Sequence, residues 1–138
     1  MTTVSKALVE LGITEWVMRG EPTNETEFKS MFRKITGKNS DGESIETDDT
    51  SAWGVTWKQV SDKMTALDTS APGVELRKQR NVKLAETDFY ALSDVTLSDD
   101  MKTYRQALRD LPASSGGKDA TFASDGVTLE NVTWPNKP

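Results

Sequence analysis

Basic side chains recur along two neighbouring stretches of this chain, and they are the residues whose types and spacing could do chemistry. From Leu76 to Pro112 the sequence reads LRKQRNVKLAETDFYALSDVTLSDDMKTYRQALRDLP. Arg77, Arg80 and Lys83 follow one another at threes, and Lys102, Arg105 and Arg109 at three and four. Those spacings gather side chains on one side of a helix. A cationic helix pair raises the question of nucleic acid, and counting charges answers it. Residues 75–112 hold Arg77, Lys78, Arg80, Lys83, Lys102, Arg105 and Arg109 against Glu75, Glu86, Asp88, Asp94, Asp99, Asp100 and Asp110, so the segment is neutral. The whole chain carries a formal charge of -5. Binding driven by counterion release needs a basic face, so neither nucleic acid nor an anionic membrane is the expected partner. Protein is. Arginine, tyrosine and tryptophan dominate interface hot spots, which makes Arg77, Arg80, Tyr104, Arg105, Arg109 and Trp134 the candidate partner-binding residues. The competing expectation is that Tyr104 and Trp134 complete a small core, with Trp134 folding back on the helix pair. The residues alone leave both open.

Other chemistries fare worse. The chain has no cysteine and no histidine, which removes the usual zinc sites, thiol and serine–histidine nucleophiles, and disulfides. Asp88 and Asp94 are a carboxylate pair of the kind acid–base catalysis uses. They lie between arginine-bearing helices, however, and are expected to neutralise Arg77, Arg80, Arg105 or Arg109. Gly116-Gly117 belongs to no phosphate-binding motif. Asp41-Gly42 resembles a step of a calcium loop but lacks the alternating carboxylates and the spaced final glutamate. No catalytic residue, cofactor or metal is expected.

The elements that must position the candidates suggest an α+β fold, mainly α, with short β segments near residues 13–19 and 127–134. Val4, Leu8 and Leu11 predict a helix closed by Gly12. ITEWVMRG reads as a short strand. Asn24 with Glu27 forms a capping box, followed by Phe28, Met31, Phe32 and Ile35 at helical spacing up to Gly37. The acidic stretch 38–52 reads as a loop turning at Asp41-Gly42. Thr56 with Gln59 opens another helix, with Trp57, Val60, Met64 and Leu67 on one stripe. Ser70-Ala71-Pro72-Gly73 breaks it as a linker, and a thin-faced helix resumes to about Thr87 on Leu76 and Leu84. Ser98 caps the last helix, whose inner stripe is Met101, Tyr104, Leu108 and Leu111 and which Pro112 stops. The glycine- and serine-rich residues that follow read as flexible. The end reads as one or two short strands, or an arm ending in an exposed tryptophan. Hydrophobic residues are 35% of the chain, so the core is lean. Two regions are expected, 1–72 and 73–138. No signal-peptide pattern or bilayer-length apolar run occurs, which points to a soluble cytoplasmic protein.

Three pieces stand together: LRKQRNVKLAETDF at 76–89, SDVTLSDDMKTYRQALRDLP at 93–112, and the closing VTWPNKP at 132–138. They resemble the phage tail assembly chaperone-like family, whose members share an arginine-bearing LR-x-x-R helix, an AxTDW step, a YRQALRDLP helix and a terminal WP-x-x-P. Phe89 stands where the family usually has tryptophan. The N-terminal half, with EWVMRGEPTNETEF and VTWKQV, resembles the extension found in tail proteins of phages that infect marine cyanobacteria. The resemblance implies a non-enzymatic assembly factor that binds a tail or tail-fibre protein through its helix hairpin and C-terminal arm, in the host cytoplasm. The alternative it leaves is a permanent component of the virion tail, for fibre attachment or as an adaptor. A homo-oligomer is compatible with either.

Overall fold

The computed structural model describes all 138 residues. In chain order the elements are α1 (Val4–Glu10), β1 (Trp16–Met18), α2 (Glu25–Met31), β2 (Phe32–Lys38), β3 (Ser44–Thr47), α3 (Trp57–Ala85), α4 (Asp99–Asp110), β4 (Thr121–Phe122) and β5 (Leu129–Glu130). Helices predominate, and all strand pairing is antiparallel: an α+β fold, mainly α. The chain divides into two compact units, Met1–Thr69 and Ser70–Pro138.

In the N-terminal unit, local capping sets the first helices. The Thr3 side chain accepts from the Lys6 amide at the start of α1. At its end Gly12 takes φ +73, a left-handed conformation that glycine adopts without a Cβ clash. At α2 the Asn24 side chain accepts from the Glu27 amide at 3.0 Å. Glu27 reaches back past Asn24 to the amide and hydroxyl of Thr23, at 2.7 and 2.9 Å, so the box closes one residue early. The Thr23 amide, with its hydroxyl, holds the Glu27 carboxyl below the usual range.

The helical pattern through Ile35 overshoots. The chain leaves the helix after Met31, and Phe32–Lys38 is the central strand of a sheet in the order β1-β2-β3. Phe28 and Phe32 are both buried, their rings 5.0 Å apart. One apolar period therefore bridges the switch from helix to strand. From Phe32 onward β2 gains backbone partners on both edges, Met18 opposite Phe32 and Glu46 opposite Ile35. That pairing overrides a weak local helical preference. The acidic stretch, expected as loop, supplies the third strand, Ser44–Thr47, and a 3-10 turn at Thr50–Ala52. The turn at Asp41-Gly42 is where the sequence puts it, with Gly42 at φ +81. Trp53 donates from Nε1 to the Thr47 carbonyl at 3.0 Å. The unit's core is Val4, Ala7, Leu8, Phe28, Phe32, Trp53, Val55 and Val60.

Helix α3 opens on a reciprocal capping box. The Gln59 amide donates to Thr56 Oγ1, and Gln59 Oε1 accepts from the Thr56 amide at 2.9 Å. The expected break at Ser70–Gly73 does not occur: α3 runs unbroken to Ala85 with Pro72 inside it. An internal proline removes one helical hydrogen bond and costs about 3 kcal/mol. Continuing the helix offsets this by burying Leu76, which is 1% exposed, and by bringing Leu84 onto the second core.

That second core, in the C-terminal unit, is Met101, Tyr104 and Leu108 with Leu84, Tyr90, Leu97 and Trp134 packed around it. Ser98 caps α4 through its side chain, which accepts from the Met101 amide at 3.1 Å. The predicted stripe of Met101, Tyr104, Leu108 and Leu111 is buried throughout. The residues after Pro112, read as flexible from their composition, are instead a chain of hydrogen-bonded turns. Ser114 N donates to Asp110 O, Lys118 N to Ser114 O, and Ala120 N to Gly117 O. Gly117 packs so closely on Leu111 that a Cβ there would lie 2.4 Å from the Leu111 carbonyl oxygen. Composition suggested freedom; the glycines serve close approach. A small hairpin of β4 and β5 follows, its turn held by Asp125, which accepts from the amides of Val127 and Thr128.

Candidate partner-binding surface

The two signature helices meet at Arg105. Its guanidinium donates to the Leu84 carbonyl at 3.0 Å and to Thr87 Oγ1 at 2.5 Å, both at the end of α3, and to Asp88 Oδ1 at 3.0 Å. Only 15% of its side chain is exposed. Thr87 is fully buried and its hydroxyl donates a hydrogen bond to the Leu84 carbonyl at 2.9 Å. The threonine and aspartate of the AETDF stretch are therefore the two sockets of the arginine in YRQALRDLP. Charge-assisted bonds of this kind are the stronger class of hydrogen bond. They fix how α4 lies on the end of α3. Of the two connector carboxylates expected to neutralise arginines, Asp88 does so and Asp94 forms no ion pair.

The remaining candidates fall on two sides of this joint. Tyr104 faces the core and is 5% exposed. Burial, with the charge of Glu86 adding to it, pushes its phenol above the ordinary value. Trp134 is half-buried against the same core, so the arm does not end in an exposed tryptophan. Lys83 Nζ stands 5.1 Å from its ring centroid, a cation–π distance. Two further ties hold the arm. Thr133 N donates to the Gly116 carbonyl at 2.8 Å, and Lys137 lies 3.8 Å from Glu86. Arg77 and Arg109 are exposed and Arg80 is half-buried. Arg77 donates to the Gly73 carbonyl one turn back in its own helix, 3.1 Å away, and Arg80 bonds the adjacent Asn81 side chain. Arg109 has no partner and lines an open depression on α4 with Leu97, Lys102, Thr103, Arg105 and Gln106.

Two residues that sequence reasoning passed over do much of the positioning. Thr87 gave one signal, a small polar residue between a helix end and an aspartate. Lys83, counted only as a charge, is the cation under the tryptophan. No group of three or more carboxylates gathers in metal-holding geometry, and no helix is long and apolar enough to cross a membrane.

No curated protein and no solved structure matches the chain. Residues 73–138 match the family model described as phage tail assembly chaperone protein. The match covers the C-terminal part of α3, the Arg105 joint, α4 and the terminal WP arm. This C-terminal part, just under half of the chain, is thus similar to the phage tail assembly chaperone family.

Proposed function

We propose that this protein is a non-enzymatic assembly factor that binds a tail or tail-fibre protein through the α3–α4 helix pair and the C-terminal arm. The observation that carries the reading is the family match over residues 73–138, because it coincides with the surface just described. The geometry supports a division of labour within that surface. Arg105, Tyr104 and Trp134 hold the helix pair and arm in one shape. Arg77 and Arg109, with the half-buried Arg80, present charge from it. A rigid, pre-shaped surface suits a chaperone that must hold a partner without ordering itself first. The protein acts in the host during assembly, before the tail is complete.

Quantitative mass spectrometry of purified particles tests the transient role. A client-binding factor is absent from finished virions or present far below the copy number of the tail proteins. A fixed stoichiometric copy number would instead make the protein a permanent fibre-attachment or adaptor component. Pull-down of individually co-expressed tail proteins then names the client.

A further inference from the structure

We propose that the open face of α4, between Leu97 and Arg109, receives a short acidic segment of the client tail protein, with an apolar residue set against Leu97. This rests on the function proposed above and adds the chemistry of what is bound. The face is a depression of about 450 Å³ lined by Leu97, Lys102, Thr103, Arg105, Gln106 and Arg109: three cations and no carboxylate. The cations have different duties. Arg105 spends its donors on Leu84, Thr87 and Asp88 and contributes only its field. Lys102 bonds Asp99 at 2.9 Å, but both side chains are more than half exposed, so an incoming carboxylate exchanges with that pair at little cost. Arg109 is the free fork. The neighbouring carboxylate, Asp110, does not line the depression and is taken up by the Gln106 amide at 3.0 and 3.1 Å. An unpaired guanidinium beside an apolar wall favours a carboxylate, which it can meet with two parallel bonds.

The rest of the chain argues for a short acidic segment over the other anions. From Ser70 to Pro138 nine basic residues face ten acidic ones. A long polyanion would therefore leave the cationic patch and meet repulsion within roughly one screening length, about 10 Å at 0.1 M salt. A segment of a few residues stays inside it. The acidic stretch of a second copy of this chain is a poorer occupant, because three of its five carboxylates are already engaged. Glu46 pairs with Arg19 at 2.7 Å, Glu43 with Asn39 at 2.9 Å, and Asp49 caps the Ser51 amide at 3.0 Å.

The test mixes the full chain with each purified tail and tail-fibre protein of the same phage. The binding segment of any partner is then presented as a labelled peptide, in acidic form and with Asp and Glu changed to Asn and Gln. The acidic peptide should bind, and Arg109→Glu or Lys102→Glu should weaken it by about tenfold or more, with Arg109→Lys keeping part of the affinity. The amide peptide should bind no better than the Arg109→Glu variant binds the acidic one. Affinity for the acidic peptide should fall steeply between roughly 50 and 300 mM salt. Equal binding of acidic and amide peptides, or a partner that binds wild type and Arg109→Glu alike, overturns this inference and leaves the assembly function standing. Tighter binding of duplex DNA than of the acidic peptide, or self-association that Arg109→Glu abolishes, assigns the face to a different occupant and overturns it as well. If no tail protein binds at all, the proposed function fails and takes this inference with it.

Discussion

Arg105 and Arg109 sit one helical turn apart in the same motif, yet their surroundings separate them completely. Arg105→Ala removes the donor to a part-buried carbonyl and to the hydroxyl of the buried Thr87, and should cost about 1–3 kcal/mol. Arg109→Ala removes no intramolecular partner, so stability should change by less than about 0.5 kcal/mol. Thermal melts of the two variants, run beside client pull-down, check this: Arg105 should lose both properties together and Arg109 binding alone. Tyr104 gives a second handle. Its phenol titrates at the ordinary value of 10.0 when unfolded and higher when folded, because burial disfavours the phenolate. The folded state thus holds the neutral ring. That stability is fully present below the unfolded value and is lost as pH rises through the raised folded one. Denaturant melts of Tyr104→Phe should match wild type near about pH 7 and exceed it near about pH 11. Parallel pH dependence of the two proteins would show that the phenol is not coupled to folding.

At the scale of elements, two segments that composition marks as interruptions are structural members. Pro72 lies inside α3, and Gly116-Gly117 lies in a packed turn. Each is a place where a residue usually associated with loops is held by what surrounds it. Gly117→Ala tests the second directly. The added methyl would meet the Leu111 carbonyl oxygen at 2.4 Å, backbone that cannot swing aside. A loss of about 1–3 kcal/mol is expected, together with release of the arm, seen as greater solvent exposure of Trp134 by fluorescence. An unchanged melt and spectrum would mean that the turn is as free as its composition suggests. Within α2 and β2 the lesson is different. Phe28 and Phe32 are four apart, as in a helix, and both are buried, yet a strand starts at the second. Side-chain period alone cannot report whether the backbone has a sheet edge to pair with.

At the scale of the whole chain, the two cores share no residue: one is built on Phe28, Phe32 and Trp53, the other on Met101, Tyr104 and Leu108. Phe28→Ala should therefore cost about 3–5 kcal/mol, and the damage should concentrate in Met1–Thr69. Hydrogen exchange is the readout, with amides of α4 expected to keep their protection while those of β2 lose it. Equal loss in both would show that the units unfold as one. The caps at Asn24, Thr56 and Ser98, the turn at Asp41-Gly42, the inner stripe of α4 and the family signature were all legible in the sequence. The caps, the turn and the stripe each depend on residues within a few positions of one another, so the local pattern determines them. Tertiary structure alone decided that Pro72 stays helical, that Phe32 starts a strand, that the glycine spacer is packed, and that Arg105 turns inward while Arg109 turns out. Those outcomes depend on partners distant in sequence: Glu46 across the sheet, Leu111 under Gly117, Thr87 and Asp88 beside Arg105. The basic helix pair announces charge in its sequence; only the packing says which charges are spent on the fold and which stay unpaired at the surface.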